Sequence, residues 1–398
     1  MKKLFSHLLT RLGRRVARAP VTFRLTSVPA NTPAGATIYL ASSRNGWTTD
    51  DPARAFTFDP ADGSYYLELP PSRGTLEYKF TRGTWPTIET DADNRAVPNR
   101  RYVFGQGPPV VLHQVLNWED QGGHIPARQH SASPNVHILA PDFPLAQLRR
   151  TRRVWVYLPP DYATGLRHYR VLYLQDGQNV FDQFTSFAGE WGVDETLDAL
   201  AANGQDPVSC IVVAVDNGSK HRLDEYSPWR NRRTGRGGEG AQYADFLAHT
   251  LKPYIDYHYR TQPGRAATGI AGSSMGGLLA TYAALRHPAV FGRVGVFSPA
   301  YWFAGQALLA YVAQQSPRPD TRWYFVCGTQ ESPTMAPLMT AVYDALRDAG
   351  VPNNNLSIKV LADGQHAEWF WQREFGPAYR WLFAAGLPAA SGPATSLT

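Results

Sequence analysis

The sequence predicts an α/β chain in two parts: a mostly parallel central sheet with helices on both faces, preceded by a small all-β sandwich. Three observations lead there. Between residues 21 and 111, short β-prone runs alternate with turn residues and no helical period appears. From residue 154 onward, similar runs alternate with helix-forming stretches, the pattern of parallel strands joined by crossover helices. One later run ends in Thr268-Gly269-Ile270-Ala271-Gly272-Ser273-Ser274-Met275-Gly276-Gly277, where a strand gives way to a helix across Gly-x-Ser-x-Gly.

At 398 residues, with 43% hydrophobic and 18% charged side chains, the chain has room for two domains and the make-up of a globular protein. Its formal net charge of +6 gathers in residues 1–20 and in one loop, 217–240. Neither place alternates cations with aromatics along a stripe, so nucleic acid is not an expected partner. The apolar stretch 4–9 is broken by Ser6 and His7, and no small-residue cleavage site follows it. It is too short for a secretory core or a membrane span, so residues 1–20 read as a basic tail and the chain as cytoplasmic. Cys210 and Cys327 lie inside apolar runs and are expected as buried thiols on well-separated strands. Metal-ligand spacing, a phosphate-binding loop and a dinucleotide fingerprint are all missing, so no cofactor or metal is expected.

In the first part, residues 21–112, strands are expected at 21–25, 37–40, 55–58, 64–69 and 76–80, with Asp62-Gly63 and 70–74 as turns. This spacing predicts an immunoglobulin-like β-sandwich. Ile38-Tyr39-Leu40 leads to Asn45-Gly46-Trp47, followed by Glu77-Tyr78-Lys79-Phe80, Glu89-Thr90-Asp91 and Pro98-Asn99-Arg100. That series resembles a starch-binding carbohydrate-binding module, in which exposed tryptophans stack on glucose rings. The resemblance implies glucan as a partner, Trp47 as one platform, and Trp85, or Ile88 in its place, as the second. The alternative is a spacer in which Trp47 is a core or edge aromatic. Residues 113–134, polar and carrying Gly122-Gly123 and Pro126, read as a linker.

In the second part, residues 135–385, strands are expected at 154–158, 171–174, 210–215, 266–271, 294–297, 323–327 and 356–361. Helices are expected at 191–202, 241–259, 278–286, 337–349 and 369–383, with Pro337 at a first helical position, where its missing N–H costs nothing. Residues 386–398, small and polar, read as a disordered tail.

The serine motif carries the chemistry. A serine on so sharp a turn takes a strained backbone, glycines on either side leave room for it, and the hydroxyl is pushed clear of the sheet. The helix N-terminus behind it offers N–H groups to a developing oxyanion. Such a nucleophile needs a base within hydrogen-bond reach, a carboxylate to orient that base, and oxyanion donors. In an α/β-hydrolase they come in the order serine, acid, histidine, each after a strand. Ser274, Glu331 and His366 follow that order. His258 and His287 lie at or near helix ends, where capping or exposure accounts for them. Asp363, three residues before His366, competes with Glu331 as the acid, and Asp344 is a third candidate in mid-helix. The oxyanion donors are expected to be the N–H groups of Met275 and Gln178, the latter in a loop where Gly177 permits close approach.

Leu172-Tyr173-Leu174-Gln175-Asp176-Gly177-Gln178-Asn179, Asp216-Asn217-Gly218 with Arg222 and Glu225-Tyr226, Gly272-Ser273-Ser274-Met275-Gly276-Gly277, Ser298-Pro299-Ala300, Gly328-Thr329-Gln330-Glu331 and Gly364-Gln365-His366 follow one another in order. Together they resemble the putative esterase family, which includes esterase D (S-formylglutathione hydrolase), feruloyl esterases, mycolyltransferases and enterochelin esterases. The resemblance implies Ser274 as nucleophile, His366 as base and Glu331 at the acid position. The family commonly has His-Gly where this chain has Asp176-Gly177, which touches the oxyanion geometry but leaves a backbone donor available. Enterochelin esterases also carry an N-terminal sandwich, so the two-part layout does not by itself indicate a polysaccharide substrate.

The expected activity is therefore carboxylic ester hydrolysis through an acyl-enzyme, on a small-molecule or acylated-sugar ester. The rivals are transfer of the acyl group to a sugar hydroxyl, a siderophore-lactone esterase, and a glycan-binding protein with a vestigial hydrolase. In the loop 217–240, Arg222, Arg230, Arg232, Arg233 and Arg236 read either as a lid meeting an anionic or hydroxyl-rich substrate or as a solvated basic loop. Arg222, Glu225 and Tyr226 are expected to form an internal network shaping the pocket.

Overall fold

The computed structural model describes residues 20–92, 94–121, 130–187, 189–206 and 209–383. The chain divides into two compact units, Met1–Ala127 and Arg128–Thr398. The tail at 386–398, nearly all of the basic tail and the centre of the expected linker lie outside the described residues.

The first unit contains β1 (Val21–Ser27), β2 (Tyr39–Ser42), β3 (Thr57–Asp59), β4 (Ser64–Leu69), β5 (Gly74–Thr81), β6 (Glu89–Thr90), β7 (Arg100–Phe104), β8 (Val110–Gln114) and β9 (Asn117–Trp118). Sheets β3-β4-β1-β8 and β2-β5-β7 share one apolar core, with β6-β9 as a short extra ladder. The core is built by alternation: Phe23 and Leu25 of β1 and Tyr78 and Phe80 of β5 point inward, while Arg24 and Lys79 between them are more exposed. The boundary differs from the linker expected at 113–134. Residues 113–121 belong to the sandwich: Val115 and Trp118 are buried in its core, and Trp118 Nε1 donates to Thr32 Oγ1 at 2.8 Å. Two buried residues three apart in a polar run carry no visible period, which is why the stretch reads as linker.

The second unit holds β10 (Val136–Leu145), β11 (Arg150–Tyr157), β12 (Arg170–Gln175), β13 (Cys210–Val215), β14 (Thr268–Ser273), β15 (Arg293–Phe297), β16 (Arg322–Gly328) and β17 (Leu356–Leu361). They form one sheet in the order β10-β11-β13-β12-β14-β15-β16-β17, parallel from β13 to β17 and antiparallel at the β10-β11 edge. Strand β10 is absent from the sequence expectation because Pro141 and Pro144 interrupt it. An edge strand with two register shifts tolerates them.

The helices are α1 (Val193–Ala202), α2 (Arg222–Glu225), α3 (Gly240–Phe246), α4 (Lys252–His258), α5 (Met275–Arg286), α6 (Gly305–Gln314), α7 (Met335–Asp348) and α8 (Glu368–Phe383). Along β11, β12 and β13 successive residues enter opposite cores, Val156, Tyr173 and Val213 on one face, Tyr157, Leu172 and Val212 on the other. Burial on both faces explains why these strands read as unbroken apolar runs. The single helix expected at 241–259 is instead α3 and α4 joined by a π-turn, Leu247–Leu251. Pro253 accounts for it, since it lacks an N–H and its ring crowds the carbonyl four residues back. Helix α7 starts two residues earlier than expected, so Pro337 is its third residue, still within the first turn. Cys210 and Cys327 are buried and free, on strands β13 and β16 with three strands between them. Burial pushes the Cys327 thiol up to about 12. Among the described residues, no helix is long and apolar enough to cross a membrane.

Carboxylates fasten the start of this unit. Ser131 Oγ donates to Glu190 Oε2 at 2.8 Å, Ser133 N–H to Asp194 Oδ2 at 2.7 Å and Asn135 Nδ2 to Asp198 at 2.9 Å. Burial pushes the Glu190 carboxyl up to about 7. A carboxyl raised in the folded state favours folding while protonated, and that contribution is lost as pH rises through the folded value. Melting temperatures of the wild type and Glu190→Gln, measured from about pH 5 to about pH 8, should diverge in favour of the variant as pH rises towards about 7 and hold a steady difference above it. A constant difference across the range would contradict this reading.

Candidate active site

Strand β14 sits between β12 and β15, so the residue following it emerges in the middle of the parallel edge. There the strand order turns back on itself, with β13 on one side of β12 and β14 on the other, which opens a crevice at the strands' C-terminal ends. Ser274 occupies that position. Its backbone, φ 54° and ψ −119°, lies where non-glycine residues are rarely found and costs on the order of 1–3 kcal/mol. Two hydrogen bonds hold it: Ser274 N–H donates to Phe297 O at 2.9 Å, and Ala300 N–H donates to Ser274 O at 2.8 Å. A Cβ on Gly272 would stand 2.7 Å from the Gly276 carbonyl carbon, so the turn closes only without one. Met275 is the first residue of α5, and its N–H has no acceptor within the helix.

His366 Nε2 lies 3.0 Å from Ser274 Oγ, and His366 Nδ1 lies 2.8 Å from Glu331 Oε2. The Glu331 side chain is fully buried, while that of His366 is 30% exposed. A carboxylate only accepts, so Nδ1 carries the proton and Nε2 is left to accept from the Ser274 hydroxyl. Glu331 Oε1 accepts from Gly328 N–H at 2.6 Å and from Ser298 Oγ at 2.8 Å. Trp371 Nε1 donates to Ser298 Oγ at 2.9 Å, which leaves the Ser298 proton for Glu331. The competing acids stand elsewhere. Asp363 is exposed and paired with Arg373, and Asp344 is half exposed on α7 and paired with Arg347.

In the sequence Ser298 stands only as part of a motif, and nothing there marks a role for Ser298 or Trp371. A positive φ of 42° at Ser298 is a backbone feature that no sequence pattern discloses.

The acid and histidine loops meet glycine to glycine. A Cβ on Gly328 would overlap the Gly364 carbonyl, and one on Gly364 would stand 2.6 Å from Gly328 Cα and 2.7 Å from the Phe370 ring. Gln330 N–H donates to Gly364 O at 3.1 Å, tying the two loops directly.

The loop after β12 adjoins the nucleophile helix. Asp176 takes the left-handed conformation, φ 57°, and a Cβ on Gly177 would stand 2.8 Å from the Val215 carbonyl carbon. Arg222 grips the Asp176 carboxylate through Nε at 2.6 Å and Nη2 at 2.8 Å, and Asn217 Nδ2 adds a third bond at 2.7 Å. Asp176 N–H donates to Tyr226 OH at 3.1 Å. Asp176 Oδ2 lies 3.5 Å from where a Cβ on Gly276 would stand, so this loop abuts the first turn of α5. Gln178 Oε1 accepts from Asn217 N–H at 3.1 Å, so its side chain braces the loop. Of the expected network, Arg222 and Tyr226 converge on Asp176. Glu225, fully buried, turns away to Arg150 and Arg152 of β11.

Two further acidic or histidine groups have ligand-type atoms within 4.8 Å of one another: Asp245, His249 and His287, and Glu190, Asp194 and Glu195. Neither includes Ser274, His366 or Glu331, and Asp245 is already held by Arg286 at 2.7 Å. In the first unit the rings of Trp47 and Trp85 lie side by side, 6.4 Å between centroids and tilted by 34°, both half-buried. Ile88 is buried and cannot serve as the second platform. Trp47 takes a positive φ of 61°, held by its N–H donating to Ser42 O at 2.8 Å.

The "Putative esterase" family model matches residues 146–382. The chain is 30% identical over 247 residues to the iron(III) salmochelin esterase of Escherichia coli O6:H1, covering 61% of this chain and 53% of that protein. It is 41% identical over 102 residues to an α-amylase of Niallia circulans, covering 25% of this chain and 8% of the amylase. The enterobactin esterase of Shigella flexneri, solved in the presence of enterobactin, has the same fold: TM-score 0.51 and 17% identity, covering 86% of this chain and 87% of that one.

Gly328→Ala should push the acid and histidine loops apart. Displacements near 1 Å cost roughly a hundredfold in rate. Steady-state hydrolysis of a p-nitrophenyl ester should therefore fall about a hundredfold, with a smaller relative change in KM. Unchanged kcat in a folded variant would contradict the close-contact reading.

Proposed function

The chain belongs to the "Putative esterase" family and is thereby a carboxylic ester hydrolase, and from that premise we propose that it is a serine esterase working through an acyl-enzyme on Ser274. The observation that carries the proposal is the unbroken hydrogen-bond line from the buried Glu331 carboxylate through His366 to the Ser274 hydroxyl. Ser274 Oγ attacks the ester carbonyl carbon as its proton passes to His366 Nε2. Glu331 steadies the imidazolium, and the N–H groups of Met275 and Gln178 receive the oxyanion. The carbon–oxygen bond to the alcohol then breaks, and His366 returns the proton to the departing oxygen. A water repeats the sequence in reverse order and frees the acid.

The identity to the salmochelin esterase supports a siderophore lactone as substrate. A second reading, an ester on a carbohydrate, is favoured by the paired faces of Trp47 and Trp85 and by the amylase match, whose length is close to that of the sandwich. Aromatic pairs of this kind present apolar faces on which sugar rings stack. Catecholate trilactones and acetylated glucans, assayed side by side, separate the two readings.

Ser274→Ala should lower kcat by roughly 10⁶-fold and Glu331→Gln by roughly 10⁴-fold, while Asp363→Asn stays within about twofold. Equal losses for Glu331→Gln and Asp363→Asn would move the acid away from Glu331. Trp47→Ala should abolish retardation of the protein in starch-containing native gels. Wild-type migration that ignores starch would remove glucan from the account.

A further inference from the structure

The loop joining β13 to α3 is braced along its length. Asp224 Oδ1 accepts from Gly237 N–H at 2.7 Å and from Arg236 Nε at 3.1 Å, and Gly238 N–H donates to Ser227 O at 2.8 Å. Asn231 Oδ1 accepts from the N–H groups of Arg233 and Thr234 at 2.9 and 3.2 Å. Trp229 packs edge-on against Tyr282 of α5 and Tyr311 of α6. Of the five arginines, Arg222 is committed to Asp176 and Arg236 to Asp224. Arg230, Arg232 and Arg233 are exposed, and among the described residues none of them is joined to a carboxylate.

Their position relative to Ser274 follows from hydrogen bonds. Ser274 O accepts from Ala300 N–H, Ala300 O accepts from Phe303 N–H at 3.0 Å, and Phe303 O accepts from Asn231 Nδ2 at 2.8 Å. Arg230 and Arg232 flank Asn231, and Arg233 is anchored to it, so three bonds link the serine to the centre of the arginine group. At its other end the same loop touches Asp176 and Gln178 through Asn217. It therefore reaches from the turn after β12 to the segment after β15, on either side of the strand that ends in Ser274.

Three cationic side chains fall within four residues of a loop whose backbone is braced, so their charge stays concentrated there. Such a cluster beside a crevice projects a positive potential into it and raises the local concentration of anions. Guanidinium is also the side chain best matched to a carboxylate or a similar planar anion. We propose that Arg230, Arg232 and Arg233 form a specificity rim that selects esters bearing an anionic substituent. The proposal rests on the serine-esterase reading of Ser274 and sharpens it to a substrate class.

The test uses two matched pairs of esters on the full chain: p-nitrophenyl butyrate against mono-p-nitrophenyl succinate for charge on the acyl side, and phenyl acetate against 4-acetoxybenzoate for charge on the alcohol side. The ratio of kcat/KM for the anionic to the neutral member is compared in wild type and in the triple variant Arg230→Gln, Arg232→Gln, Arg233→Gln. In at least one pair the ratio should fall roughly tenfold in the variant, and the wild-type preference should shrink as salt is added. A control carrying Arg318→Gln and Arg347→Gln removes exposed positive charge before β16 and at the far end of α7, and should leave the ratio unmoved. Identical ratios in wild type and triple variant for both pairs overturn the proposal, and with it the idea that these cations serve substrate rather than some larger polyanion. Absence of turnover on all four esters instead overturns the esterase reading, and the rim falls with it.

Discussion

A carboxylate wholly removed from water needs partners on every side, and at the serine's crevice that group is Glu331. Its partners come from three loops: Gly328 N–H from its own, Ser298 Oγ from the loop after β15, and His366 Nδ1 from the loop after β17. A hydrogen bond to a charged group contributes about 1.5–3 kcal/mol, so the three loops are held in one arrangement by the need to keep that charge satisfied. The parallel sheet makes it achievable, because β15, β16 and β17 are neighbours and end on the same edge. Gly328 and Gly364 then let the outer two loops close to backbone contact.

Ser274 depends on the same edge from the other side. Its left-handed backbone is unfavourable by itself and persists because Phe297 and Ala300 clamp it from the β15 side while Gly272 and Gly276 clear the space within the turn. The hydroxyl meets the imidazole only because the strained turn and the buried carboxylate are both anchored to the segment after β15. Across the crevice, Asp176 holds the remaining loop in position, with Arg222 supplying the opposite charge that keeps a carboxylate near the expected oxyanion position from opposing negative charge there.

Much of this was legible in the sequence, for reasons that differ by element. Strands β12, β13 and β16 are visible because burial on both faces forces apolar runs, β17 because apolar and polar residues alternate along an edge strand, and Ser274, Glu331 and His366 because each follows a strand. Three features were hidden. Prolines disguise β10, whose edge position tolerates them. Trp118 and Val115 are core residues set in a polar stretch, which made sandwich look like linker. Ser298 and Trp371 act through one another and through Glu331, a relation created by tertiary packing alone. Arg222 was already expected to brace the pocket, but the other arginines of the 217–240 loop looked alike in the sequence, and only the bond to Asp224 separates Arg236 from the exposed Arg230, Arg232 and Arg233.

The central claim is that Ser274 alone among the serines is activated for attack. The most direct measurement is labelling with a fluorophosphonate, followed by peptide mass spectrometry to locate the adduct. One stoichiometric adduct is expected on the peptide containing Ser274, absent from Ser274→Ala and strongly slowed in His366→Ala. A folded wild-type protein that takes up no label, or takes it up on another serine, would contradict it.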